Sequence, residues 1–204
     1  ALTDGITPNK PFLDQVSPSL LAQPLYYPDG QIKEEVYVYG SFLQSKMFDA
    51  GVNCVDCHNP HSMKLKIEGN GLCLQCHSAE EYQAPTHLNH SADSAGGQCI
   101  SCHMPEKTYM GVDARRDHSF RIPRPELTEQ YGAPNTCNSC HGDKSAKWAK
   151  TQVKNLYGNN NVLTKTEKDL IQLQHQYRLP AQQHFAIIND AKLNEVYRAS
   201  AITL

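Results

Sequence analysis

The sequence predicts a mainly α-helical protein with much irregular loop, little β-structure and a core that its own side chains do not fill. Hydrophobic residues make up 39% of the 204 residues, which is below the usual share for a globular domain of this length. Leucine, isoleucine and valine are sparse between residues 50 and 142. Against this polar background stand eight cysteines and ten histidines, so we expect these two residue types to define the chemistry.

The charge pattern argues against a nucleic-acid partner, and the hydropathy pattern argues against a membrane-spanning helix. The formal net charge is −2 at pH 7, and no block of basic residues provides a surface for phosphates. The chain also lacks a run of about 18 consecutive apolar residues, the length that a membrane-spanning helix needs. We therefore expect neither a nucleic-acid complex nor a membrane span.

The cysteines fall into four pairs, each with two residues between its members and a histidine directly after it. The four strings are CVDCH, CLQCH, CISCH and CNSCH, formed by Cys54, Cys57 and His58, by Cys73, Cys76 and His77, by Cys99, Cys102 and His103, and by Cys137, Cys140 and His141. CxxCH is the attachment signature of c-type haem. The two thiols form thioethers with the porphyrin, and the histidine becomes the proximal iron ligand. The sequence therefore predicts four covalently attached haem c groups.

Three other interpretations of paired cysteines fit less well. Zinc ribbons use CxxC pairs but do not require a histidine after every pair. A redox-active CxxC of the thioredoxin type needs a single motif in a βαβ context, which is absent here. Disulfides suit an exported chain but give no reason for four identical spacings with four trailing histidines.

Haem binding explains the low proportion of apolar residues in this chain. Porphyrins are large, flat and apolar, so four of them supply much of the core that the side chains lack. Only 14 residues separate His58 from Cys73, and 21 separate His77 from Cys99. Because such short tethers leave little room for separate pockets, we expect the haems to stack against each other.

Four histidines between the first and fourth motifs are candidates for the second axial ligands. They are His61, His87, His90 and His118. Four irons and four interposed histidines predict bis-histidine ligation throughout, which gives low-potential, low-spin centres. A surface or hydrogen-bonded role is the alternative for each of them. We expect His175 and His184, in the C-terminal part, to be structural, and the methionines at positions 63, 104 and 110 to pack rather than to ligate iron.

The chain divides into three predicted segments. Residues 1–50 are an extended, haem-free N-terminal segment that is rich in proline, with short β character at residues 36–39. Residues 51–142 form the tetrahaem core, in which the CxxCH motifs open brief helices. Residues 143–204 are helical. We expect helices from Asp143 as cap to about Tyr157, from the Thr164/Glu167 capping box to about Tyr177, and a helical pair after Pro180.

Segments outside the motifs carry a resemblance to a known family. The strings YGSFLQSKMFDAGVNCVDCHNPHS, GLCLQCH, GGQCISCHMP, RRDHSFRIPRPEL and GAPNTCNSCH resemble multihaem c-type cytochromes of the cytochrome c554-like group. They are most similar to the haem-rich part of longer members with extra haems upstream and helical repeats downstream. The resemblance implies closely stacked bis-histidine haems in an extracytoplasmic respiratory chain. It also implies that His61, the His87/His90 pair and His118 are distal ligands. Because the upstream haems are missing here, it leaves open that one of these ligands serves a haem of another segment or chain.

Three functions follow from these observations. The first is electron transfer through four closely packed haems, with other cytochromes as redox partners, in the periplasm or at the cell surface. The second is a subunit that self-associates into an extracellular cytochrome filament. The third is a multihaem reductase. This last function requires a vacant axial position, whereas all four motifs are regular and distal histidines are sufficient in number. We therefore expect an electron-transfer protein rather than an enzyme.

Overall fold

The computed structural model describes residues 5–159, 162–175 and 178–204. The protein is about 46% helical, with one two-stranded sheet and long irregular connections. This confirms the mainly α-helical class with little β-structure. Within those ranges, none of the helices combines the length and the apolar character that a membrane crossing demands.

The helices are short up to residue 142 and longer after it. The α-helices are α1 (Val38–Phe42), α2 (Lys46–Asp49), α3 (Cys54–Cys57), α4 (Ala79–Tyr82), α5 (Pro85–Leu88), α6 (Cys99–His103), α7 (Pro125–Tyr131), α8 (Thr136–Cys140), α9 (Ala146–Tyr157), α10 (Lys165–Gln174), α11 (Ala181–Asn189) and α12 (Glu195–Thr203). Short 3-10 helices cover Phe12–Asp14, Gly69–Gln75 and Ala95–Gly97. Strands β1 (Glu106–Tyr109) and β2 (Asp113–Arg116) form an antiparallel hairpin.

The C-terminal helices mostly follow the sequence prediction. The capping box of Thr164 and Glu167 opens α10, and Gly158 closes α9 with a positive φ. The predicted cap at Asp143 is wrong, because α9 begins three residues later and its cap is the Ser145 side chain, which accepts from the Trp148 amide. Helix α10 ends at Gln174, and the predicted end at Tyr177 lies outside the described residues. After Pro180, α11 and α12 form the expected helical pair.

The β character predicted at residues 36–39 is wrong. Helix α1 begins at Val38, inside that stretch, so tertiary packing overrides the strand propensity of its valines and tyrosines. The hairpin forms instead at β1 and β2, where Met110 and Gly111 take positive φ angles in the turn. That turn carries the chain back toward the third motif.

The N-terminal segment and the C-terminal helices share one hydrophobic core. Leu21, Tyr26 and Leu43 pack in one cluster with Val196 of α12. Two hydrogen bonds tie Leu21 to the C-terminal helices: its amide donates to Ser200 Oγ at 2.9 Å, and its carbonyl accepts from Gln174 Nε2 at 3.1 Å. The first and last quarters of the chain therefore pack against each other, and we call this unit the helical clamp. The boundaries at residues 50 and 142 stay predictions.

The haem-motif segment contributes little to that core. Three of the fifteen buried hydrophobic residues in the described chain, Tyr109, Leu127 and Ala133, lie between residues 51 and 142. Several apolar side chains there are exposed instead, among them Met63 at 64% and Val112 at 87%. Because this stretch cannot bury itself, its packing requires a large apolar partner.

Candidate haem-binding site

The first and fourth CxxCH motifs lie on single helical turns whose starts are fixed by capping side chains. Asn53 caps α3, with Asp56 completing a capping box, and Asn135 caps α8 by accepting from the Asn138 amide. A spacing of three residues places both cysteines of a motif on the same side of a helical turn. The motif histidine then follows where the turn ends. The second motif differs, because it lies in the 3-10 helix Gly69–Gln75.

Hydrogen bonds hold the second, third and fourth motifs side by side. Asn70, three residues before Cys73, accepts from the Cys99 amide at 2.9 Å and donates to the Gly97 carbonyl at 2.9 Å. The Thr136 hydroxyl donates to the Ser101 carbonyl. The third motif is thereby linked to its neighbours on both sides, by hydrogen bonds between side chains and the backbone that do not involve the cofactor.

The cysteine thiols also lie close to one another across the motifs. Burial, together with the neighbouring Cys99, raises the pKa of Cys73 to about 11. Burial likewise raises the pKa of Cys57, helped by Asp56 and Cys76. None of the eight cysteines forms a disulfide.

Three of the four motif histidines face a second histidine across a gap of constant width. The ring centroids of His58 and His118 are 6.4 Å apart with an interplanar angle of 27°. Those of His87 and His103 are 6.1 Å apart at 13°, and those of His90 and His141 are 6.3 Å apart at 38°. Each pair joins one motif histidine to one histidine from a loop between motifs.

This gap fits an iron atom between the two rings. Bonds from imidazole nitrogen to a transition metal are about 2 Å long, which places two axial ring centres roughly 6 Å apart. Imidazoles in direct contact would lie much closer together. Three independent pairs at one separation therefore match the donor set that a six-coordinate haem requires.

The ring nitrogens of these histidines are oriented for iron binding. Nδ1 lies 2.8 Å from the Met63 carbonyl in His58 and 3.0 Å from the Arg121 carbonyl in His103. His90 and His118 make the same contact at 2.9 Å, with the carbonyls of Leu88 and Arg116. A carbonyl oxygen can only accept, so Nδ1 carries the hydrogen and Nε2 keeps its lone pair. Backbone carbonyls thus fix the tautomer in four of the six paired rings.

His61 and His77 do not form a fourth pair. The His77 ring is exposed, and its ring contact is with Tyr82 at 5.1 Å. His61 is also exposed and lies on the turn that follows the first motif, without a ring contact to His58, His77, His103 or His141. The assignment of His61 as a distal ligand stays a prediction.

The two C-terminal histidines are held in ways that suit a structural role. His184 uses Nε2, the usual iron-binding atom, in a contact with the Ala201 carbonyl in the next helix. His175 caps the end of α10 and packs edge-on against Tyr131 at 5.2 Å. Neither ring faces a motif histidine.

Comparison with known families agrees with this geometry. Residues 46–82 match the family described as doubled CXXCH motif, and residues 80–199, more than half of the chain, match the cytochrome c552 family. The chain belongs to the cytochrome c552 family. It is therefore a multihaem c-type cytochrome, as the sequence predicts. The narrower resemblance to the cytochrome c554-like group stays a prediction. Nothing among the curated proteins or the solved structures matches the chain significantly.

A buried polar network in this cytochrome contacts two of the paired histidines, His103 and His118, and sequence reasoning missed it. Asp117 accepts from the Ser41 hydroxyl and from the Ser119 amide at 2.7 Å, and it pairs with Arg121 Nε at 3.2 Å. Burial alone would raise the pKa of Asp117, but Arg121 and these hydrogen bonds lower it below its ordinary value. The carboxylate therefore stays ionised inside the protein.

The same network reaches the N-terminal segment and both histidines. Arg121 donates to the Asp29 carbonyl at 2.7 Å and to Gln44 Oε1 at 3.0 Å. Its own carbonyl accepts from His103, while Ser41 Oγ accepts from the His118 amide at 3.0 Å. The string RRDHSFR shows charged residues beside a histidine, but nothing in it indicates that they are buried.

Aromatic side chains pack beside the paired histidines of the cytochrome. The Trp148 ring lies 5.0 Å from that of His141, and Phe120 lies 6.1 Å from His118. Tyr157 donates to the His87 carbonyl at 2.7 Å. These contacts restrict the imidazoles to one orientation, which is what a fixed axial ligand needs.

Proposed function

We propose that this cytochrome carries electrons through four covalently attached haems, three of them held by the histidine pairs described above. Haem-based electron transfer is the function that its family supports. The observation that carries the fuller proposal is the constant separation of 6.1–6.4 Å between the paired rings. The two imidazoles of each pair would hold the haem iron between them, and the bound haem would supply one-electron redox chemistry.

The chain's own residues hold and orient the cofactors. The cysteine pairs anchor them covalently, and His58/His118, His103/His87 and His141/His90 supply axial nitrogens. When bound, the haems supply one-electron redox chemistry. The carbonyls at Met63, Leu88, Arg116 and Arg121 occupy Nδ1 of four paired rings and leave their Nε2 atoms for iron, and the links through Asn70 and Thr136 keep successive motifs adjacent.

The order of contacts supports a row of haems in sequence order. The first and second motifs approach at Cys57 and Cys76, the second and third at Cys73 and Cys99, and the third and fourth near Cys102 and Cys137. Electrons entering at either end of such a row pass between neighbouring centres. Other cytochromes are the partners that this arrangement suits.

The proposal extends to location and to chemistry. Proteins of the cytochrome c552 family are typically periplasmic, and c-type haem attachment takes place outside the cytoplasm, so we place this cytochrome in the periplasm or at the cell surface.

The family includes nitrite reductase. We nevertheless favour an electron carrier, because the paired histidines leave no open axial position at three of the haems. Self-association into filaments stays a prediction.

Counting haems tests the proposal directly. The mass of the denatured holoprotein is expected to exceed that of the chain by four haems, one for each CxxCH motif. The double variant Cys99→Ser/Cys102→Ser is expected to carry three, because its thioethers cannot form. Fewer than four haems in the wild-type protein would contradict the assignment of the motifs.

The paired histidines give a second prediction. His118→Ala and His87→Ala are each expected to convert one low-spin haem to a high-spin form, because each removes one of two axial nitrogens. Electron paramagnetic resonance (EPR) of the oxidised protein measures this change. The matched control is His184→Ala, whose Nε2 already contacts the Ala201 carbonyl and which should leave the spin states unchanged. An unchanged spectrum for His118→Ala would remove the first pair from the scheme.

A further inference from the structure

Two adjacent glycines before the third motif, Gly96 and Gly97, lie against the loop that carries His90. They belong to the 3-10 helix Ala95–Gly97. A Cβ atom on Gly96 would lie 2.5 Å from Cδ2 and 2.6 Å from Cγ of the His90 ring. Carbon atoms in favourable contact are about 3.5–4.0 Å apart. Only a residue without a side chain therefore leaves room for the imidazole in its observed position.

Two neighbours limit where the otherwise exposed His90 ring lies. Its Nδ1 is 2.9 Å from the Leu88 carbonyl, which leaves Nε2 free to bind iron. Gly96 limits how closely the ring approaches the 3-10 helix. In the resulting position the His90 ring centroid is 6.3 Å from that of His141, the separation that an iron between the two rings requires.

The glycine pair has no room to move away from the ring. Gly97 is buried, and a Cβ atom on it would lie 2.4 Å from the Ser91 carbonyl oxygen, so the two backbone segments are already in close contact. Asn70 Nδ2 donates to the Gly97 carbonyl at 2.9 Å and holds this helix from outside the loop. A methyl group on Gly96 would therefore displace His90 rather than the helix.

We propose that Gly96 is a positioning residue of the fourth haem, because the space left by its missing side chain lets the His90 imidazole lie opposite His141. The inference rests on the proposed function, in which these two histidines are the axial ligands of that haem. A larger residue at position 96 shifts His90 Nε2 away from the iron and weakens its bond to the metal.

Gly96→Ala tests the inference in the complete holoprotein. The φ angle of Gly96 lies outside the left-handed region, so alanine can adopt this backbone and the variant probes the ring contact. Mass measurement should still show four haems. EPR of the oxidised variant is expected to lose the low-spin signal that His90→Ala also removes, and to keep the other signals. The matched control is Gly142→Ala, next to His141, where a Cβ atom would lie an ordinary 3.7 Å from the Asn138 carbonyl oxygen. This control should leave the spectrum unchanged.

Added imidazole separates a positional effect from a general loss of stability. In His90→Ala the ring is absent, and imidazole from solution should restore the low-spin state of the fourth haem by taking its place. In Gly96→Ala/His90→Ala the new methyl group occupies part of that space. Imidazole should therefore bind this double variant at least about ten-fold more weakly than His90→Ala.

The outcomes distinguish this inference from the proposed function. An unchanged EPR spectrum in Gly96→Ala, or equal imidazole affinity in the single and double variants, would overturn the role of Gly96 while leaving the histidine pair intact. An unchanged spectrum in His90→Ala would show that His90 is not an axial ligand. The fourth pair of the proposed function would then fail, and the inference with it.

Discussion

A chain produced without its haems is expected to lose the ordered structure of residues 51–142 while keeping much of the helical clamp. The cause is the distribution of buried side chains. That stretch supplies Tyr109, Leu127 and Ala133 to the core of the described chain, and it exposes other apolar residues such as Val112. Without porphyrins, it buries too little apolar surface to offset the conformational entropy of ordering its backbone.

The clamp has a different composition. Leu170, Leu173 and Ile187 form a buried cluster with Ala201, and Leu21 and Tyr26 form a second one with Val196. Both clusters consist of side chains from outside residues 51–142, apart from Tyr109 in the second. We therefore expect them to persist when the cofactors are absent.

Hydrogen exchange read by mass spectrometry separates the two regions. In protein expressed without haem-attachment machinery, amides of residues 51–142 should exchange at rates close to those of an unfolded chain. Those of α10 and α12 should stay protected to within about a factor of ten of the holoprotein. Full protection of α6 and α8 in the haem-free chain would show that side chains alone hold the motif segment. The all-cysteine-to-alanine variant, exported and matured normally, is the control for the expression route.

The sequence predicts the haem-attachment motifs better than it predicts which histidines face each other. The four CxxCH strings predict the attachment sites because two thioethers and a proximal histidine require one fixed local spacing. Local signals likewise place the Thr164/Glu167 capping box and the helix end at Gly158. Both kinds of feature depend on residues within one turn of each other.

The sequence does not predict features that depend on contacts between residues far apart in the chain. The prediction that His87, His90 and His118 lie opposite irons does not say which motif each of them faces. The structure places His87 opposite His103 and His90 opposite His141, although His87 and His90 are three residues apart. The left-handed conformation of Asn89 between them (φ 51°) redirects the chain, and a one-residue change of this kind has no clear sequence signature.

Replacing Arg121 is expected to have the largest effect of any substitution outside the cofactor ligands. Its guanidinium, 19% exposed, is the countercharge of the Asp117 carboxylate, which is 10% exposed. Arg121→Met would leave that carboxylate buried without a partner, and breaking such a pair costs about 3–5 kcal/mol in free energy of unfolding. The surface pair of Lys150 and Glu129 provides the matched control, because Lys150→Met, at a side chain 50% exposed, should cost less than about 1 kcal/mol.

A role of Arg121 in positioning histidines also predicts a change at the haems, which a purely stabilising role does not. The Arg121 carbonyl orients His103, and the hydroxyl of Ser41, which is bonded to Asp117, accepts from the His118 amide. The Arg121→Met variant should therefore change the EPR g values and reduction potentials of the first and third haems, and leave those of the fourth, held by His90 and His141, unaltered. In Asp117→Asn/Arg121→Met both charges are gone, so stability should recover in part, while the two haems stay perturbed because the His118 loop has lost its anchor. Equal changes in g values and potentials at all haems would contradict this positioning role. So would the expected loss of stability without any change in those values. Either result would leave the network with the role of a structural ion pair only.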